Sequence, residues 1–262
     1  MDRARLLRAA GLVTGILAAV SLIIGRSPGI GPALSVAALV TLLAVGLVAA
    51  DRTVARPAAT GVRTARLTRR RLVDVVPLGP TTGVVVLVVA LTGLLSVTSA
   101  ASTPHLHSDT TPPNPDDGRH FGCLSGGMAQ SGPWPGWFYA IPVLTTVAVA
   151  IVVAVVALRG VLARPVVESA TLSGDSYRRG TASAIVAALG VVVTVPLAGA
   201  AYFAYSVLGQ PLVCDQPVAQ GTRPWLVALV IMAATAGAYY AARLVFPPAA
   251  AASPLAAVVS VR

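Results

Sequence analysis

Six long apolar stretches constrain this chain more than any other feature: 6–24, 30–50, 76–99, 137–158, 182–206 and 225–246. Each is near the ~20 residues that cross about 30 Å of hydrocarbon at 1.5 Å per residue. None shows the alternating pattern of a membrane barrel strand. In lipid the backbone of such a segment has no water to bond, so it must close its hydrogen bonds internally, as a helix. The reading is therefore an all-α integral membrane protein, one transmembrane domain over 1–262, with an outer loop at 100–136. Composition agrees, with 56% hydrophobic and 11% charged residues, against roughly 25% charged in soluble domains.

Charge placement orients the spans. All 19 basic residues are Arg, and with the N-terminus inside, 16 of them fall in inner segments. Only Arg26, Arg119 and Arg223 fall outside. The positive-inside rule then places both termini in the cytoplasm. The net charge of +10 is thus mostly topological, and secondarily attractive to anionic headgroups. It does not read as nucleic-acid binding, because no binding module and no aromatic interleaving accompany it. Arg without Lys in an Ala- and Val-rich chain suggests a GC-rich bacterial genome, hence a bacterial plasma membrane. The start resembles a signal peptide, but Gly25-Arg26-Ser27-Pro28 is no small-residue cleavage site, so an uncleaved first helix is expected.

Between spans, Pro28 and its flanking glycines predict a tight turn. In 51–75, seven arginines interleave with Val62, Leu67 and Val73. A solvated inner loop and a surface-lying basic helix both fit. The outer segment is too rich in Pro, Gly and polar residues for a packed domain, and its Thr111 to Gly118 run reads as irregular or extended. Trp134, Trp137, Phe138, Tyr139 and Trp225 stand where an interfacial aromatic belt is expected. A weak repeat relates the third and fourth spans to the fifth and sixth, through Cys123 then Pro133-Trp134 and Cys214 then Pro224-Trp225. Duplication and convergence both account for it.

Cys123 and Cys214 are the only cysteines and both fall outside, where oxidising surroundings favour a disulfide. His105, His107 and His120, with Asp109, Asp116 and Asp117, form a candidate metal or pH-sensing set. Their spacing matches no dependable metal signature, and a solvated loop is the simpler reading. Within the spans no Asp, Glu, His or Lys occurs, which argues against a proton relay. HExxH and GxSxG are missing, and without Lys no P-loop exists. No catalytic residue, resident metal or cofactor is expected. The spans instead carry small residues, Gly11 and Gly15 in the first and Ala233, Gly237 and Ala241 in the last, which let helices approach closely. Pro142 and Pro196 lie inside the fourth and fifth spans and predict kinks. Thr81, Thr82, Thr145, Thr146 and Thr194 are expected to bond across helices or to carbonyls that proline frees.

On the inner side, Glu168-Ser169-Ala170, three residues and then Gly174 resemble the start of the EAA loop of ABC importer permeases. Ser169 replaces an Ala of that pattern, Ile185 falls one position late, and the following Leu-Pro is missing. The resemblance implies a loop at 160–181, with Glu168, Gly174, Arg178 and Arg179, docking a separate cytoplasmic ATPase. Three roles thus stay open. The first is a non-enzymatic membrane subunit or accessory protein with another membrane protein as partner; the others are a permease subunit and an outer-loop sensor.

Overall fold

The computed structural model describes residues 3–24, 40, 44, 76–103, 118–125, 128–163, 174–209 and 217–246. Five helices run through them: α1 (Arg3–Ile24), α2 (Leu78–Ala100), α3 (Trp137–Ala163), α4 (Gly174–Leu208) and α5 (Pro217–Val245). Between α2 and α3 lie two strands, β1 (His120–Ser125) and β2 (Met128–Pro133), paired antiparallel. Four helices, α2 to α5, are long and apolar enough to cross a membrane. Their positions match the third to sixth apolar stretches of the sequence. The second stretch, apart from Val40 and Ala44, and the 51–75 segment lie outside the described residues.

α4 is the axis of the bundle. Of its apolar window 72% is buried, against 28%, 22% and 17% for α2, α3 and α5. It packs most extensively on α5, then on α2 and α3, while α1 leans on α5. The sequence explains this placement. Residues 182–188 and 190–194 are all buried, so α4 is enclosed around its circumference, as a helix apolar on every side requires. Many of those positions are Ala or Gly, which lets three neighbouring backbones come close. α2 instead buries one stripe, Val84, Leu87, Leu91, Leu95 and Thr98, spaced by threes and fours as in a helix seam. Its opposite face, including Val85, Val86 and Val89, is exposed. Val-rich helices of this kind hold because lipid leaves the backbone no alternative partner.

The small-residue faces pack within the chain. Ala233 is buried and Ala241 packs against the main core. A Cβ on Gly237 would stand 3.2 Å from Thr194 Oγ1 of α4. In α1, Gly11, Leu12 and Gly15 form the buried side.

Helix bounds depart most at α4. The hydropathy boundary at 182 predicts its start, yet the helix begins at Gly174 and has 35 residues. That is about 52 Å of helix, well beyond the ~30 Å of hydrocarbon. Hydropathy marks where lipid begins; backbone hydrogen bonding carries on past it.

The 100–136 segment carries regular pairing that its composition did not predict. His120 to Ser125 pair with Pro133 to Met128 in register, and Gly126-Gly127 join them. A Gly-Gly pair between two short runs is a hairpin signal, and it was legible in the sequence.

Candidate functional site

At the end where α2 and α4 begin and α5 finishes, Tyr240 links three helices. Its hydroxyl donates to the Pro80 carbonyl of α2 over 2.7 Å. A Cβ on Gly83 would lie 2.5 Å from that oxygen, and one on Gly190 of α4 would fall into the Tyr240 ring. Glycine at both positions makes room for a large side chain that is only 3% exposed. The Tyr240 hydroxyl thus finds its acceptor, as burial demands. The junction orders the helices and leaves no reactive group open.

At the opposite end the hairpin is seated on the bundle. Trp134 is 4% exposed and packs with Ala201, Ala204 and Val207 of α4 and Leu226 of α5. Its Nε1–H donates to the Thr98 carbonyl over 2.7 Å, and its ring stacks on Phe121 with centroids 4.8 Å apart. Trp134 therefore departs from the aromatic belt: its indole hydrogen bond is satisfied by the end of α2, so it serves as a buried pin. Trp137 and Trp225 are exposed, as belt residues are. Arg119 lies over the Phe138 ring at 3.7 Å. Gly118 adopts φ +69°, and a Cβ there would stand 2.6 Å from the Trp137 indole. Only glycine meets both demands at that turn.

Thr103 fastens the foot of the hairpin. Its N–H donates to the His120 carbonyl over 2.9 Å, and its Oγ1 accepts from the Gly122 N–H over 2.8 Å. His120 thus stands at the base of the 104–117 segment. His105 and His107 lie outside the described residues, as do Asp109, Asp116 and Asp117. Among the described residues no group of three His, Cys, Asp or Glu is close enough to hold a metal. Cys123 sits on β1, but its side chain and the whole of Cys214 lie outside the described residues, so the expected disulfide does too.

The candidate ATPase-docking residues separate. Gly174, Arg178 and Arg179 belong to α4, whereas Glu168 lies outside the described residues. Arg178 is 7% exposed and turned inward, while Arg179 is exposed. The two Pro-Trp pairs of the apparent repeat also differ in surroundings. Pro133-Trp134 closes a strand, whereas Pro224 lies inside α5 and Trp225 is 76% exposed.

The span threonines correct one expectation. Thr81, Thr82, Thr145 and Thr146 donate to Pro77, Leu78, Ile141 and Pro142, each four residues back in the chain. Thr194 donates to Val191 over 3.1 Å. None reaches a neighbouring helix or the carbonyl four residues before Pro142 or Pro196. A hydroxyl one turn above its own backbone is already within reach of a carbonyl, so the local bond wins.

The chain matches no protein-family model, no curated protein and no solved structure.

Proposed function

We propose that this chain is a non-catalytic multi-pass protein of a bacterial plasma membrane, acting as a subunit or accessory protein beside another membrane protein. Its six spans leave both termini in the cytoplasm and join Cys123 to Cys214 on the outer face. The observation that carries the role is how the interior polar groups are used. The buried hydroxyls of Thr98, Thr194 and Tyr240 each donate to a backbone carbonyl. Ser183 is buried with its Oγ unbonded, and the spans hold no Asp, Glu, His or Lys to act on it as a base. A hydroxyl without such a base is a weak nucleophile. An interior of this kind offers packing surfaces and no proton relay. The disulfide draws support from topology: β1, the last turns of α4 and the first turns of α5 all belong to the bundle end where Trp134 meets Val207 and Leu226.

Purification of the full chain from native membranes in mild detergent tests the role. A second membrane protein in fixed stoichiometry is the expected companion. A co-purifying P-loop ATPase would overturn it in favour of a permease subunit. That second reading draws on the run of α4 beyond its apolar span, which keeps Arg179 exposed on the 160–181 segment. The sensor reading draws on the Thr103–His120 bridge, which brings together the two ends of the segment carrying His105 and His107. Zinc retained after chelation, and lost when the three histidines become alanine, would promote it.

A further inference from the structure

We infer that the end of the bundle where α3 finishes and α4 begins is a two-tiered binding surface for anionic phospholipid headgroups. Arg159, Arg243 and Arg179 are its contacts, and the inference rests on the membrane reading above. Packing fixes which helix ends lie together. Tyr240 touches both Pro80 and Gly190, so α2 and α4 begin where α5 finishes. Val161 and Ile185 share a cluster, which brings the last turns of α3 to the same end. Arg159, Arg178, Arg179 and Arg243 therefore gather there, from three helices.

Depth separates the tiers. Arg159 is two residues from Val161, and Arg243 is three from Tyr240, so both stand near the level at which α3 and α5 leave the bundle. Arg179 precedes Ile185 by six residues, and Arg159 lies two residues short of Val161, so Arg179 stands about 12 Å further out than Arg159. Headgroup layers add roughly 5–8 Å to each side of the hydrocarbon. Arg159 and Arg243 thus stand where the hydrocarbon ends, and Arg179 stands on the water side of the phosphate layer, from which a long side chain can reach back to it. Arg159 and Arg179 are exposed. Arg243 lies 5.1 Å from the Tyr239 ring, an aromatic of the kind that settles at headgroup level. A guanidinium fork suits phosphate oxygens, which accept two parallel N–H bonds.

Charge complementarity selects the lipid. In the six-span topology, the segments at this end carry sixteen arginines against five acidic residues, and the other end three against four. An anionic headgroup meets a matching field only at the first end.

The test uses the full chain in vesicles of mixed phosphatidylethanolamine and phosphatidylglycerol. After extraction in mild detergent, the lipids retained by the protein are quantified by mass spectrometry. Phosphatidylglycerol is expected to be enriched over the bulk mixture. R159Q, R179Q and R243Q should each lower that enrichment, by up to about fivefold per arginine. The corresponding Arg→Lys variants keep the charge and lose the fork, so their enrichment should fall between that of the unaltered chain and that of the Gln variants. R119Q and R223Q, which remove equal charge at the far end, should leave it unchanged. Retention in bulk proportion by the unaltered chain, or equal loss in the far-end variants, overturns the inference while the membrane reading stands. A chain that inserts into neither lipid overturns both.

Discussion

Tyr240 shows how one side chain can decide the spacing of three helices. Tyr240→Phe removes the bond to Pro80 and keeps the ring, so a loss of about 0.5–1.5 kcal/mol is expected. Thermal unfolding in detergent would register it as a lower midpoint. Gly190→Ala places a methyl inside that ring's volume and should cost more, about 1–3 kcal/mol by overpacking. Gly93 and Gly160 are helical glycines with nothing within 4 Å of an added Cβ. Alanine at either should leave the midpoint unchanged or raise it, because Ala is the better helix former, and a comparable drop there would show that the Tyr240 contact does not set the effect. Trp134 makes the same point at the other end. Its neighbours are apolar and its indole N–H is bound, so its fluorescence should resist aqueous quenchers that dim the exposed Trp225. Comparison of Trp134→Phe with Trp225→Phe reads the two signals apart.

At the scale of elements, the hairpin and α4 carry the arrangement. The hairpin holds because a left-handed glycine, a buried tryptophan and the Thr103 bridge act on the same short stretch. Gly118→Ala strains the backbone at φ +69° and meets the Trp137 ring at once, so a loss of roughly 1–3 kcal/mol is expected. Faster proteolysis between α2 and α3, with the other loops unaffected, is the measurement that localises the effect. The proposed Cys123–Cys214 bond would tie this hairpin to the α4–α5 connection. Peptide mapping without reductant should recover one cross-linked peptide holding both cysteines. Alkylation of both thiols before reduction would instead show that packing alone keeps the outer end together. α4 has the enclosed position because it is the helix that can be approached from several sides. Its alanines and glycines at 182, 184, 187, 188 and 190 leave room where the valines of α3 would hold neighbours apart.

For the whole molecule, orientation is the property the arginine distribution argues most directly. A green fluorescent protein fused after Arg262 should fluoresce in cells, and alkaline phosphatase fused there should be inactive; the opposite pair of results would invert the topology. The described helices match five of the six apolar stretches to within a few residues, except where α4 runs on to Gly174 and α5 starts early at Pro217, and four of the five are long and apolar enough to cross a membrane. They match because twenty apolar residues in succession have one stable form in lipid, whatever their neighbours. The same reasoning could not place Trp134. An indole beside a helix end suits a belt and a core equally, and Thr98 decides between them. Nor could it foresee that the span threonines bond inward to their own turns.

Sequence by itself determined that the chain carries long apolar helices fit for a membrane, and where they run along it. Each of these follows from the composition of one segment set against lipid or water. Which helix stands at the centre, why glycines face Tyr240, and how Trp134 fastens the hairpin were decided only by tertiary structure. Each depends on two or three segments meeting, and the free energy of that meeting lies in the fit between them, which no segment carries alone.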